Sequence, residues 1–242
     1  MCYKILDKKK VGFFLGLLEN DGSIQVNPCK KRYLQFRVII KMKYTPKNHE
    51  MLSQIRDSLG FFKIYIRNNF ILLVENDRKQ LKKLIKLIDF YGLLLTKVRH
   101  KYLIFKYALE NNITYSEWVI INNNINSLPY KTIQDYSFDD IMKYPYLNDW
   151  LLGFIQAKSC FYIRKSGTHS FSISQKDDLV IIQIIKEIFL LPNKIQIKSN
   201  NLYFIESYNR QSIEKIIDFC KDNLKGEKKL QFNEFISKFY TI

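Results

Sequence analysis

The chain has 242 residues, of which 39 are Lys or Arg and 23 are Asp or Glu, so its net charge is +16. The length suits one large domain or two similar halves, and the charge excess is spread along the chain, which favours a folded basic surface with a polyanionic partner. Four dispersed cysteines without a C-x-x-C pair argue against a zinc site or a disulfide framework, and the apolar stretch at residues 11–18 is too short to cross a bilayer.

The first half predicts a helix, a hairpin, a second helix, a second strand pair and a third helix. The opening apolar helix ends near Asp21, and the alternation of apolar and polar residues from 34 to 41 is typical of a strand with one polar face. The other predicted boundaries are residues 23–27 and 33–43 for the hairpin, 48–59 for the second helix, 63–74 for the second strand pair and 78–90 for the third helix.

Residues 126–148 hold Pro129, Pro145 and several turn formers, which predicts a linker between the halves. The second half then repeats the order of the first, beginning with a helix that ends near Lys158. We therefore predict an N-terminal repeat at residues 1–125, a linker at 126–148 and a C-terminal repeat at 149–242. The second repeat has its hairpin at residues 160–164 and 169–175, a helix at 178–190, strands within 194–206 and a helix at 210–223.

An internal repeat supports this division. "FLGLLENDGSI" at residues 14–24 aligns with "LLGFIQAKSCF" at residues 151–161, with Leu and Gly matched at the second and third positions. Each motif closes the first helix of its half. Gly16 and Gly153 leave room for the two helices to approach closely, because neither carries a side chain at the contact. We expect this interface to bring the two helix ends together.

These two motifs resemble the signatures of the LAGLIDADG homing endonucleases and related intron maturases, and "SFSISQKDD" at residues 170–178 resembles the second hairpin of the family's organellar members. The resemblance covers nearly the whole chain. It implies an α+β fold of two pseudo-symmetric αββαββα repeats whose antiparallel sheets form a saddle.

In the family, the eighth motif residue of each half is acidic, and the two carboxylates hold divalent metal against the scissile phosphates. This chain supplies Asp21 in the first half and Lys158 in the second. An ammonium group cannot ligate Mg²⁺ and would attract Asp21 as an internal partner. We therefore interpret Asp21 as a catalytic remnant and a doubtful metal ligand. We expect no cofactor, and Mg²⁺ only if nuclease activity survives.

The resemblance implies further catalytic positions. Gln175 falls where the family often places a polar residue that orders catalytic water, and we take Ile40 and Lys41 as the positions comparable to Gln175 and Lys176. Lys97 and Lys228 match each other by offset and resemble the family's basic residue near the scissile phosphate. The alternative is that both are ordinary solvated lysines.

Outward strand positions and hairpin turns are expected to contact nucleic acid, through the base edges of a DNA groove or the phosphates and bases of structured RNA. The alternative for each residue is a solvated surface charge without a specific partner. The predicted contacts are Gln25, Asn27, Lys30, Lys31, Arg32, Arg37, Lys41, Lys43, Arg164, Lys165, His169, Lys176, Lys194 and Lys198.

Our leading hypothesis is a protein that has lost double-strand DNA cleavage and binds structured RNA, either organellar ribosomal RNA as a ribosome component beside ribosomal proteins, or a group I intron as a maturase. The alternative is an active or nicking homing endonuclease that cuts DNA with divalent metal and Asp21. A third hypothesis is a degenerate reading frame without function.

We expect a monomer with internal two-fold pseudo-symmetry and no membrane partner. Abundant Ile, Lys, Asn, Tyr and Phe indicate an AT-rich gene, which favours an organelle-encoded protein of the mitochondrial matrix.

Overall fold

The computed structural model describes residues 7–125 and 135–240. The first repeat follows the predicted order of helix, hairpin, helix, strand pair and helix, and two further helices extend it. Its elements are α1 Lys8–Asp21, β1 Gly22–Cys29, β2 Tyr33–Lys43, α2 Pro46–Leu59, β3 Lys63–Arg67, β4 Phe70–Glu75, α3 Arg78–Tyr91, α4 Thr96–Glu110 and α5 Tyr115–Ile125.

The second repeat follows the same order and ends with one added helix. Its elements, preceded by the short helix α6 Phe138–Met142, are α7 Leu147–Lys158, β5 Cys160–Ile163, β6 His169–Lys176, α8 Leu179–Ile188, β7 Gln196–Lys198, β8 Leu202–Ser207, α9 Arg210–Cys220 and α10 Gly226–Phe239. The predicted α+β class with two αββαββα repeats is confirmed.

The predicted linker at residues 126–148 contains helix α6 and the start of α7. Ser137 and Asp140 cap α6 reciprocally: the Ser137 hydroxyl accepts the Asp140 N–H, and the Asp140 carboxylate accepts the Ser137 N–H. Residues 126–134 lie outside the described part of the chain. The prolines and turn formers indicated a connection between the repeats, but they did not predict the short capped helix within it.

Each repeat contains one four-stranded antiparallel sheet. The strand orders are β1-β2-β4-β3 and β5-β6-β8-β7, so the two sheets have the same topology. Alternate residues of β2 face a buried core, and the intervening residues face away from it. We call this second face of each sheet the outer face; it carries Gln25, Arg37, Lys41 and Lys43 in the first sheet and Ser172, Ser174 and Lys176 in the second.

Local signals set the helix boundaries. The Thr45 hydroxyl accepts the Asn48 N–H at 3.1 Å, and Pro46 begins α2, where its missing N–H costs no hydrogen bond. Gly60 ends α2 with a φ of 74°, a left-handed conformation that glycine adopts without steric penalty.

The helices α1 and α7 cross at the centre of the molecule and join the two repeats. A Cβ placed on Gly16 would lie 2.0 Å from the carbonyl oxygen of Trp150, and one on Gly153 would lie 2.1 Å from the carbonyl oxygen of Phe13. Backbone therefore packs on backbone at this crossing. Among the described residues, no helix is long and apolar enough to cross a bilayer.

Candidate nucleic-acid interface

The central helices end at two polar residues of opposite charge. Asp21 is the last residue of α1, Lys158 is the last residue of α7, and both are exposed to solvent. The two side chains form no ion pair within 4.0 Å, and the expected attraction between them acts over a longer distance. Desolvation raises the pKa of the Asp21 carboxyl, while Lys158 and Lys228 act in the opposite direction.

Lys228 and Lys97 lie in the first turns of α10 and α4, at corresponding places in the two repeats. The Lys228 ammonium donates to the Ser159 carbonyl oxygen at 2.6 Å, and burial lowers the pKa of this lysine. The Lys97 ammonium lies 3.9 Å from the Asp177 carboxylate, and its side chain is 48% exposed. Thus Lys228 is held against the protein, whereas Lys97 keeps solvent access.

A cavity of about 320 Å³ brings Lys97, Lys158 and Gln175 together, beside Asp177 and Asp178. Asp21 and Lys228 do not line this cavity. Asp21 nevertheless lies next to this cavity, because its neighbours Asn20 and Gly22 line it and the charge of Lys158 acts on the Asp21 carboxyl. The ends of α1 and α7 therefore place one carboxylate, that of Asp21, and one ammonium group, that of Lys158, at the two motif positions where the family pattern requires two carboxylates.

The strand register corrects the positions taken as comparable to Gln175 and Lys176. Lys43 pairs with Phe70 in the first sheet, and Lys176 pairs with Leu202 in the second. Lys43 therefore corresponds to Lys176, and Met42 corresponds to Gln175. The first repeat still lacks a polar side chain at the position of Gln175, but the residue at that position is Met42 and not Ile40.

Two pairs of polar side chains fix the helices that carry the lysines. The Glu19 carboxylate accepts the N–H groups of Leu94 and Leu95 just before α4, and Asp178 accepts the Thr96 N–H at 3.0 Å. At α10, the helix that carries Lys228, the two anchoring side chains are amides. The Gln156 side chain accepts the Lys225 N–H, and the Asn48 side chain accepts the Glu227 N–H, at 3.0 Å and 2.9 Å.

Each lysine-bearing helix is consequently held by one side chain from each repeat. Glu19 is the sixth residue of its motif and is fully used in this anchoring, because its second oxygen accepts the indole N–H of Trp150 from the other central helix. Burial raises the Glu19 pKa to about 7, although the N–H donors oppose the shift. The sixth motif position is therefore a structural anchor and not a ligand pointing toward a phosphate.

The residues present do not fit a pair of divalent ions shared by two carboxylates. One of the two positions is an ammonium group, which repels a metal cation, and a second ammonium group, that of Lys228, acts on Asp21. Within residues 7–125 and 135–240, no group of three or more His, Cys, Asp or Glu side chains is placed to hold a metal ion. The site offers fixed positive charge in the place where the family pattern requires a second acid.

The first outer face carries a preorganised polar network. The Arg37 guanidinium donates twice to the Gln25 side-chain oxygen, at 3.1 Å and 2.9 Å, and Asn27 donates to the same oxygen at 3.2 Å. Arg37 and Gln25 are opposite each other in the β1 and β2 register. Because the side chains hold one another in place, their remaining donors would lose little conformational entropy on binding a ligand.

The β1–β2 turn presents three basic residues at its tip. Lys30 and Lys31 have φ angles of 50° and 54°, in the left-handed region that ordinarily favours Gly or Asn. Lys30, Lys31 and Arg32 are all exposed. The chain thus keeps cationic side chains at two strained turn positions, which is an arrangement typical of a ligand-contacting loop.

The second outer face is also basic but more neutralised. Lys198 lies 3.9 Å above the Phe204 ring, and Arg164 donates to Glu206 at 2.9 Å. Lys176 lies on the outer face, and Lys165 and Lys194 are exposed in the flanking loops. Lys41 stacks over Phe70 at 4.0 Å in the first sheet, so each sheet pairs an exposed cation with an aromatic ring.

His169 was predicted on the outer face, and that prediction was wrong. It alternates with Phe171 and Ile173, which face the core, so its ring also points inward. The His169 Nε2 lies 3.0 Å from the Phe235 carbonyl oxygen, and the ring packs edge-on against Phe235 and Phe239 of α10. His169 therefore anchors the last helix to the second sheet.

Two basic outward residues of β3, Lys63 and Arg67, were absent from the predicted interface. Lys63, Tyr65 and Arg67 alternate along this strand and pair with residues of the outer face of β4, and all three are exposed. The alternation of Lys63, Tyr65 and Arg67 with Ile64 and Ile66 was the signal in the sequence. They extend the first outer face to the edge of its sheet.

Two like repeats, joined through a glycine-mediated helix crossing, place a polar site between two exposed sheet faces. The architecture is that of a two-repeat α+β protein in which the two central helices end at the candidate site, at Asp21 and Lys158. The chain belongs to the LAGLIDADG endonuclease family, whose model matches residues 14–109 and 151–239. The resemblance drawn from the two motifs is confirmed.

Individual relatives support the same assignment. The chain is 35% identical over 238 residues to "Probable intron-encoded endonuclease aI3" of Dictyostelium citrinum, covering 94% of each protein. It is 32% identical to the protein of the same name from Kluyveromyces lactis, covering 90% of this chain but 62% of that relative. The solved structure of the LAGLIDADG homing endonuclease I-GzeII in complex with DNA target has a TM-score of 0.72 at 17% identity, covering 98% of this chain and 90% of that one. The last likeness concerns the fold alone.

Proposed function

We propose that this protein binds duplex DNA across the outer faces of its two sheets and has lost double-strand cleavage. The observation that carries the proposal is Lys158, which ends α7 where the family pattern requires a carboxylate. Double-strand cleavage needs metal-assisted chemistry at two phosphates. One carboxylate beside two ammonium groups does not supply the ligands for both.

The charge at the helix ends supports retained binding. Lys158 and Lys97 line one cavity between the sheets, and Lys228 lies near Asp21. Each ammonium group can neutralise a phosphate without a metal ion, because the favourable term is release of counterions from the nucleic acid. Lys158 therefore changes the centre of the interface from one that requires metal to one that carries its own positive charge.

The outer faces favour a duplex. Antiparallel strands that present Arg, Gln, Asn and Lys side chains fit the major groove of DNA, where these groups read base edges. The named relatives are described as intron-encoded endonucleases, and the I-GzeII structure contains a DNA target. Structured RNA, including ribosomal RNA or a group I intron, stays a prediction, and so do ribosomal proteins as partners. The relatives' description as intron-encoded supports a gene within an intron, which agrees with the predicted organellar location.

The test is selection of ligands from random pools of duplex DNA and of RNA, followed by affinity measurements in EDTA and in Mg²⁺. We expect the wild-type protein to enrich a duplex DNA and to bind it equally well in both buffers. Lys158→Asp should make the affinity dependent on Mg²⁺. The matched control is Lys215→Asp on α9, an exposed lysine far along the chain from the motif, which should leave the Mg²⁺ response unchanged.

Two results would contradict the proposal. One is a wild-type affinity that disappears in EDTA, because a metal would then be needed for binding. The other is enrichment of RNA in place of duplex DNA, with binding abolished by substitution of Arg37. Nicking that disappears in Asp21→Asn would leave DNA binding standing and would support the alternative of a one-strand nuclease.

A further inference from the structure

Helix α3 carries four lysines along one exposed stripe. Lys79, Lys82, Lys83 and Lys86 are spaced i, i+3, i+4 and i+7, which places them on one face of a helix, and all four are exposed. Within the described residues, none of them lies within 4.0 Å of a carboxylate. We call this set the α3 lysine stripe.

The stripe faces away from the outer face of the sheet. Leu81, Leu84 and Ile88, on the opposite side of α3, are buried in the same core cluster as the inward residues of β2. The sheet therefore lies between the α3 lysine stripe and the residues proposed to contact duplex DNA. One duplex lying on the outer face leaves the stripe exposed.

The second repeat provides an internal comparison. Helix α9 corresponds to α3, and both begin after a capping side chain, Asp77 in one and Asn209 in the other. At the positions that correspond to the stripe, α9 carries Gln211, Glu214, Lys215 and Asp218, and Glu214 pairs with Arg210 at 3.1 Å. The fold is thus compatible with balanced charge at this place.

The four lysines of α3 repel one another, whereas the corresponding residues of α9 include both acidic and basic side chains. Like charges at i, i+3 and i+4 repel one another and destabilise a helix. The stripe therefore favours a polyanionic ligand that offsets this repulsion. The stripe spans eight residues, from Lys79 to Lys86, and its seven rises of about 1.5 Å each are sufficient to meet more than one phosphate.

An aromatic ring continues the stripe at its C-terminal end. Phe90 follows Lys86 by four residues and is 71% exposed. Exposure of a large apolar ring to water is unfavourable, and an unpaired base that stacks on the ring would cover it. Cations in line with an exposed ring are characteristic of surfaces that bind unpaired nucleotides, since a paired duplex offers no free base face.

We propose that the α3 lysine stripe and Phe90 form a second nucleic-acid site, which binds an unpaired segment of a structured RNA. The lysines contact its phosphates and Phe90 stacks on a base. This site is separate from the duplex-binding faces, does not rest on the proposed function, and allows both ligands to be bound at once.

The experiment measures the affinity of a labelled RNA hairpin with an unpaired loop, using the full chain with and without the selected duplex DNA. Lys82→Glu with Lys86→Asp gives α3 the acidic residues of α9, and we expect RNA affinity to fall roughly tenfold with a shallower salt dependence. Phe90→Ala should weaken RNA binding by about fivefold or more while leaving the salt dependence unchanged. Arg37→Ala should weaken duplex binding and leave RNA affinity unchanged.

Binding of both ligands to one protein molecule, seen as a ternary complex in native electrophoresis, is the expected result. The proposal is overturned if saturating duplex DNA displaces the RNA, or if the α3 double variant binds the hairpin as tightly as the wild type. Unchanged duplex affinity in the α3 variants shows that they fold. If duplex binding is absent from the wild type while the α3 variants still lose RNA binding, the proposed function fails and this inference stands.

Discussion

The indole N–H of Trp150 donates to the buried carboxylate of Glu19 at 2.6 Å, across the crossing of the two central helices. The same carboxylate accepts the N–H groups of Leu94 and Leu95. One side chain therefore couples the helix crossing to the start of α4, the helix that carries Lys97. The position of Lys97 therefore depends on the same hydrogen bonds that stabilise the crossing of α1 and α7.

Trp150→Phe should destabilise the protein by about 2–4 kcal/mol, since it removes a hydrogen bond to an ionisable group and leaves part of the indole volume empty. The loss should be larger at pH 8 than at pH 5, because the missing donor stabilises the ionised form of Glu19. Urea unfolding at the two pH values measures the difference. An equal loss at both would mean that the Glu19 contact contributes nothing.

The raised pKa of Glu19 predicts a specific pH dependence of stability. Its folded value is about 7 against an ordinary value of 4.5, so the folded state binds the proton more tightly than the unfolded chain does. This contribution to the free energy of unfolding is fully present below pH 4.5 and is lost as pH rises through about 7. It amounts to roughly 3 kcal/mol. Glu19→Gln should flatten the curve in this window, as judged by unfolding at intervals of pH; the same slope in wild type and variant would refute the assignment.

The glycine crossing predicts that Gly16→Ala and Gly153→Ala are each severely destabilising. The added Cβ would lie 2.0 Å or 2.1 Å from backbone of the other helix, which cannot move aside as a side chain can. We expect a loss of at least about 3 kcal/mol in each variant. Gly60→Ala is the matched control, because it has strain from its φ of 74° but no nearby atoms, and it should cost only about 1 kcal/mol. Comparable losses in all three variants would argue against the close helix contact.

The outer face predicts a measurable change in salt dependence. Lys43 is exposed at the end of β2, so Lys43→Gln should reduce the slope of log affinity for duplex DNA against log salt by about 0.9. Lys215→Gln, on α9, should leave this slope unchanged. Fluorescence anisotropy over a range of salt concentrations makes the comparison, and equal slopes for both variants would remove Lys43 from the interface.

Sequence patterns predicted the repeat fold because its signals are local and occur twice. The helix ends at Asp21 and Lys158 and the alternation within β2 are each encoded within a few residues of the feature that they define. The short apolar runs also set the strand pairs correctly. Helices α4, α5 and α10 follow the repeated core, and no prediction was made for them.

The errors in the candidate site come from register and from contacts over long distances. His169 could have been placed in the core by its alternation with Phe171 and Ile173, but its polar character outweighed that pattern. The contact of Glu19 with Trp150 joins residues 131 positions apart, and no local periodicity encodes it. The positions of Asp21 and Lys158 follow from the motifs, but the absence of an ion pair between them depends on side-chain directions.

Loss of double-strand cleavage is tested most directly on a supercoiled plasmid that carries the selected duplex site, incubated with the protein and Mg²⁺. The wild-type protein should bind the plasmid and produce no linear DNA, because Lys158 leaves the second phosphate without a metal-binding carboxylate. Linear product from the wild-type protein, abolished by Asp21→Asn, would contradict it.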